Sequence, residues 1–305
     1  MTASLSFAAL RTGGKAALAR ALAMIEARPD APETIELLSA AYAEPQAHVV
    51  GITGPPGVGK STLINALIAG WRQRNRRVAV IAVDPSSRRS GGALLGDRTR
   101  LTTDPEDTGI FVRSMAARDR LGGLAGLTVG AMVLMRALYD VVLIETVGVG
   151  QSETDVVRVA DTVLFCVQPG SGDSLQFMKA GIAEIPHIVL VTKADMDREA
   201  RRARADVEGA LSLASEESDW LIPVLLVSSQ RGEGVDQVID TIDQHATHLG
   251  PQRASVRQAQ AEDWLAEFVR ERFGREGLKR AGTLTLAAGS SPFSALAEVA
   301  RRLRG

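Results

Sequence analysis

A single cysteine in 305 residues, only four histidines and a net charge of -1 remove several kinds of chemistry before any motif is read. Cys166 lies inside the apolar run Val163-Leu164-Phe165-Cys166-Val167, so it reads as a small buried hydrophobe of a reducing compartment, a poor nucleophile and a poor metal ligand. His48, His187, His245 and His248 are scattered along the chain. None has a partnering cysteine and only the last two share helical spacing, which leaves zinc chemistry without support. The 35 basic and 36 acidic residues nearly cancel, so no global field favours nucleic acid or an anionic membrane. Long apolar runs are missing too. The apolar uncharged stretch Leu121 to Met135 contains five glycine or threonine residues and stops at Arg136, short of the roughly 20 apolar residues a membrane span requires. Met1 to Ala9 lacks the basic start and cleavage site of a secretory signal, and a cytoplasmic chain is expected.

What is present is concentrated at one place. The apolar run from His48 to Ile52 leads into Gly54-Pro55-Pro56-Gly57-Val58-Gly59-Lys60-Ser61-Thr62, and an amphipathic stretch follows. The spacing G-x-x-x-x-G-K-S between a strand and a helix is that of a phosphate-binding loop. A turn poor in Cβ atoms wraps backbone N–H groups around phosphate oxygens, and the helix N-terminus points at the same anion. Lys60 is expected to reach the β- and γ-phosphates, and the Ser61 hydroxyl to ligate Mg²⁺.

Around this loop, short apolar strands are predicted at Val78–Val83, Ile110–Ser114, Val141–Glu145, Thr162–Val167, His187–Thr192 and Leu221–Val227, with helical stretches between most of them. Such strands imply a mainly parallel sheet covered on both faces, a doubly wound α/β domain of the P-loop type. Two helical patterns within Lys15 to Ala43, separated by Pro29 and Pro32, form a hairpin ahead of it. Charged helix resumes at Ser255 to Arg275, and a short segment ends in Pro292 to Arg304. The expected division is an N-terminal helical element over 1–46, the nucleotide domain over 47–250 and a C-terminal helical element over 251–305. Gly122, Gly126 and Gly130 strip one edge of a helix, at about 1 kcal/mol each. That edge serves close packing on the sheet or docking of a partner.

Further motifs lie at predicted strand ends. Thr192-Lys193-Ala194-Asp195 places an aspartate that can accept two hydrogen bonds from guanine N1–H and its amino group, which adenine cannot offer, with the Lys193 stem over the base. Guanine readers usually carry asparagine where Thr192 stands. Ser228, Ser229 and Gln230 end a later strand, where backbone N–H groups could meet the guanine O6. Asp84, Asp97 and Glu145 supply carboxylates for the magnesium end, since strand ends on one edge of an open parallel sheet converge on its ligand crevice. In Glu145-Thr146-Val147-Gly148-Val149-Gly150-Gln151, the Gly148 N–H could sense a γ-phosphate. Gln151 either orients the attacking water or caps the next helix.

With Val83-Asp84-Pro85-Ser86-Ser87, Gly91 through Arg100, Glu145 through Glu153 and Lys193-Ala194-Asp195 following the phosphate loop in order, the chain closely resembles the MeaB/ArgK family. The resemblance implies a homodimeric GTPase chaperone of an adenosylcobalamin-dependent acyl-CoA mutase, such as methylmalonyl-CoA mutase, in which GTP binding and hydrolysis gate cofactor loading and protect the mutase. It implies dimerisation through the C-terminal element. It also implies that Lys60 and Ser61 hold phosphate and Mg²⁺, that Asp84, Asp97 and Glu145 are metal-site and catalytic carboxylates, and that Asp195 reads guanine. The expected catalytic set is Lys60, Asp97, Glu145 and, from the loop reading, Gln151, with Ser61, Asp84, Asp97 and Glu145 as metal ligands. Arg88, Arg89, Arg98 and Arg100 are candidates to enter the site when a partner orders their loop. Two other readings remain at this point: a kinase acting on a small molecule or protein, the older label for such chains, and a nucleotide-gated scaffold that barely hydrolyses.

Overall fold

The computed structural model describes residues 5–85, 101–117, 126–146, 156–170, 186–214, 219–287 and 289–304. The chain divides into two compact units, one drawn from 1–47, 123–140 and 252–305, the other from 48–122 and 141–251.

The second unit is built on seven strands: β1 (His48–Thr53), β2 (Val78–Pro85), β3 (Ile110–Ala117), β4 (Val141–Glu145), β5 (Thr162–Val167), β6 (Ile188–Val191) and β7 (Val224–Leu226). They form one sheet in the order β3-β2-β4-β1-β5-β6-β7, with every neighbouring pair parallel. The strands are apolar on both sides because both faces are covered. Leu164 and Cys166 share a core with Leu63, Leu67 and Ile239, whereas Phe165 and Val167 pack with Ala200 and Val207 on the opposite face. The first set lies toward α4 (Lys60–Gln73) and α7 (Val235–His248), the second toward α6 (Asp197–Ala214). The α/β expectation is met, and the seven strands fall where the apolar runs placed them, within a few residues at their ends.

The register sets the functional edge. Ile52 pairs with Glu145, Thr53 with Phe165 and Val167 with Val191, so the ends of β1, β4, β5 and β6 emerge on one side of the sheet. β1 lies between β4 and β5, where chain order reverses, and that is where an open parallel sheet forms its crevice.

The opposite edge gathers what the sequence scatters. His48 opens β1, Thr162 opens β5, His187 precedes β6 and His245 lies near the end of α7, and they come together at this edge. The Thr162 hydroxyl is 2.7 Å from His48 Nε2 and 2.7 Å from His245 Nδ1, while His187 Nδ1 accepts from the Val163 N–H at 2.9 Å. Trp220 stands edge-on to the His245 ring at 4.8 Å, and His187 and His245 are 4.3 Å apart. Those nitrogens aim at Thr162 and Val163 rather than at a common point, and among the described residues no cluster of three or more His, Cys, Asp or Glu is placed to hold a metal. Burial lowers His187 to about 4, against a smaller raising effect of Asp161, and burial with the neighbouring rings lowers His245 to about 3. The fold therefore favours neutral rings, whereas the unfolded chain takes protons below about pH 6.5. Stability is complete above that pH and falls as the pH drops toward 4. Between pH 7 and pH 5 the urea midpoint should fall, with His187 alone contributing on the order of 1 kcal/mol. A midpoint that stays level across that window would contradict the burial of neutral rings.

The first unit is helical: α1 (Phe7–Thr12), α2 (Gly14–Ala27), α3 (Pro32–Ala43), α5 (Gly126–Leu138), α8 (Arg253–Ala281) and α9 (Pro292–Arg304). Ser6 caps α1 by accepting from the Ala9 N–H at 3.2 Å, and Pro32 starts α3, where its missing N–H is not needed. α5 is buried from Thr128 to Ala137. Its glycine edge packs on helices of its own unit rather than on the sheet: a Cβ on Gly126 would lie 3.1 Å from Phe268 of α8, and one on Gly130 would lie 3.5 Å from Ile25 of α2 and 3.6 Å from Leu38 of α3. Gly122 lies outside the described residues. Among the described residues no helix is long and apolar enough to cross a membrane.

Candidate functional site

β1 ends at Thr53, and the phosphate loop turns immediately through left-handed backbone: φ is 139° at Gly54, 74° at Gly57 and 102° at Gly59. Gly54 is required twice, because a Cβ there would come within 2.4 Å of the Cys166 carbonyl oxygen at the end of β5. Val58 is fully buried and roots the loop in the core, while Pro56 and Gly57 are exposed. Gly59 caps α4, whose N-terminus, beginning at Lys60, faces the loop.

Lys60 is only 7% exposed, and its ammonium donates to the carbonyls of Gly54 at 2.7 Å and Pro55 at 3.1 Å, so its charge is held inside the loop. Next to it the Ser61 hydroxyl donates to Glu145 Oε1 at 3.0 Å. Glu145, at the end of β4, is equally buried, and Thr146 beyond it is fixed to β1 through its own hydroxyl, 3.1 Å from that of Thr53. A buried carboxylate beside a hydroxyl and a cationic loop is a hard-oxygen donor set of the kind magnesium takes. Cys166 lies below this cluster. Burial pushes its thiol up to about 12, with Lys60 lowering and Glu145 raising it further, which rules out a thiolate nucleophile here.

The segment from Thr192 to Asp195, expected from the sequence to read the base, meets the loop from the β6 side. Thr192 is buried; its hydroxyl donates to the Val58 carbonyl at 2.7 Å and lies 3.0 Å from the Val167 carbonyl, which accepts from the Thr192 N–H at 2.8 Å. Where guanine readers usually have asparagine, this chain uses a threonine as a bridge between the phosphate loop and β5. Lys193, in left-handed backbone with φ of 54°, donates to the Gly57 carbonyl at 3.1 Å and to Gln168 Oε1 at 2.5 Å. Asp195 Oδ1 accepts from the Ser228 hydroxyl at 2.9 Å. That bond, followed by one from its own backbone, holds the exposed carboxyl below the usual carboxylate range, ionised and acceptor-only near neutrality.

A cavity of about 170 Å³ opens between these segments, lined by Val58, Gly59, Thr62, Lys193, Asp195 and Met196, with Thr192, Ser229 and Gln230 completing it. Ser228 is buried and acts behind that wall. Its N–H donates to the Glu233 carbonyl at 3.0 Å and its hydroxyl orients Asp195, so Ser229 and Gln230 are the members of that segment that border the cavity.

The structure thus brings together the phosphate loop, Glu145 and the segment from Thr192 to Asp195. Asp97, Gly148, Gln151 and the arginines at 88, 89, 98 and 100 lie outside the described residues, as does the side chain of Asp84. Gln168 and Met196 were not singled out from the sequence. Gln168 directly follows an apolar strand and precedes Pro-Gly, and a polar residue at the end of a parallel strand is the signal that could have marked it.

Comparison with known proteins finds relatives named as GTPases. A family model described as methylmalonyl Co-A mutase-associated GTPase MeaB matches residues 18–280. A probable GTPase of Mycobacterium tuberculosis is 42% identical over 273 residues, covering 86% of this chain and 81% of the relative. The methylmalonic aciduria type A homolog of Mus musculus, a mitochondrial protein, is 39% identical over 234 residues, 75% of this chain and 56% of that one. The crystal structure of a protein named LAO/AO transport system kinase superposes with a TM-score of 0.70 at 28% identity, over 100% of this chain and 99% of that chain.

Proposed function

We propose that this chain, which belongs to the MeaB family of methylmalonyl-CoA mutase-associated GTPases, couples GTP hydrolysis to cofactor loading and protection of an adenosylcobalamin-dependent acyl-CoA mutase. The observation that carries the nucleotide half is the bridge at Thr192, which joins the lysine-bearing phosphate loop to the aspartate-bearing base segment around one cavity. The family description, with the name of the mouse relative, supports the mutase half.

In this reading the loop N–H groups and the α4 N-terminus bind the phosphates, and Lys60 offsets charge that grows on the transferred group's oxygens. The Ser61 hydroxyl and Glu145 carboxylate, with Asp84 and Asp97 from the neighbouring segments, are the residues that would hold Mg²⁺, which supplies charge neutralisation between the phosphates. Water attacks in line with the bond to the β-phosphate oxygen, and Gln151 is the side chain we assign to orienting it. Asp195 and Lys193 select and hold guanine, and the cavity wall at Ser229 and Gln230 borders the base.

Single-turnover GTP hydrolysis, measured alone and with purified methylmalonyl-CoA mutase or isobutyryl-CoA mutase, tests the coupling. At least one of these should accelerate hydrolysis by about tenfold or more, the scale on which a partner completes a slow G-protein site. Equal rates with and without each mutase would reject the coupling while leaving GTPase activity intact.

A further inference from the structure

Three consecutive residues at the end of β5 touch three parts of the nucleotide site. The Cys166 carbonyl lies against Gly54, the Val167 carbonyl accepts from Thr192, and Gln168 Oε1 accepts from the Lys193 ammonium at 2.5 Å. Two of these contacts are backbone and tolerate many side chains. The third depends on one carboxamide.

Lys193 needs such a fixture. Its backbone sits in the left-handed region, which a lysine rarely adopts, and its side chain is long enough to sample many rotamers. Two acceptors, the Gly57 carbonyl and Gln168 Oε1, hold the ammonium, so the methylene stem is fixed along the wall of the cavity that Asp195 also lines. The acceptor is neutral, so the lysine keeps its net charge beside a polyanionic ligand. A carboxylate at the same place would accept as well but would cancel that charge.

We propose that Gln168 is a positioning residue for base recognition: with the Gly57 carbonyl it locks Lys193 against the base and ties that contact to the phosphate loop. The proposal rests on the reading of the cavity as the guanine site. It predicts that Gln168 acts only on the base end of the ligand and only through Lys193.

Gln168→Met keeps the side-chain length and removes the acceptor. Binding of GTP should weaken by about tenfold, the worth of one hydrogen bond to a charged group. Binding of tripolyphosphate, which has no base, should stay within about twofold of the parent. In a Lys193→Ala background the same substitution should add no more than about twofold, because the lysine it positions is gone. Gln168→Ala carries the same expectations and serves if the methionine variant folds poorly. Equal losses for GTP and tripolyphosphate, or additive losses in the double variant, would overturn the proposal. If Lys193→Ala itself leaves the preference for GTP over tripolyphosphate untouched, the reading of the cavity fails. If only the Gln168 variants leave it untouched, the positioning role fails alone.

Discussion

Lys60→Ala should lower single-turnover GTP hydrolysis by about a thousandfold or more, while GTP binding weakens much less. The ammonium is the charge enclosed by the loop, 2.7 Å from the Gly54 carbonyl and nearly sealed from solvent. In such a place an interaction with developing charge is not diluted by water, and the reacting phosphoryl group gains most from it in the transition state. The alanine variant keeps the loop N–H groups and the α4 N-terminus, which bind phosphate in the ground state as well. Rapid-quench turnover with labelled GTP, beside an affinity measurement and a thermal midpoint, separates lost catalysis from lost folding. An unchanged rate in a folded variant would remove the phosphate-loop assignment.

Asp195→Asn should reduce GTP affinity by about a hundredfold and raise XTP affinity, reversing the preference. A carboxylate offers two acceptors to the guanine N1–H and amino group. A carboxamide offers one acceptor and one donor, which suits the carbonyl that xanthine carries at that position. The structure sharpens this expectation because Ser228 already holds one carboxylate oxygen and keeps the group ionised. An asparagine inherits the same partner, so the exchange alters what faces the base rather than how the loop is held. Competition binding with GTP, XTP and ATP reads the outcome, and a variant that still prefers GTP would show that the base is read elsewhere.

Much of this site could be read in the residues themselves because it is local. Gly54 to Ser61 are contiguous, and Asp195 lies at the end of an apolar strand in a parallel sheet, whose register then brings Glu145 to Ser61. The histidine cluster was invisible for the opposite reason. His48, His187 and His245 share no spacing, and only the order in which β1, β5 and β6 pair sets them side by side. Thr192 looked like a lapse from the usual asparagine because a motif names positions and not partners, and its partners are carbonyls on two other segments. The glycine edge of α5 was recognised as a close-approach surface, but which element approaches depends on Phe268, which stands more than a hundred residues later in the chain.

That separation has a consequence during synthesis. The helical unit takes its pieces from both ends of the chain and from one stretch between them. At a translation rate of about 5–20 residues per second, α2 and α3 wait on the order of ten seconds or more for α8 and α9 to leave the ribosome. In that interval the flank of α5 at Gly126 lacks the covering that Phe268 later supplies. The nucleotide-binding unit draws no residue from beyond 251, so its sequence is complete earlier. A nascent chain between the two events holds every residue of the nucleotide-binding unit beside helices still waiting for α8 and α9.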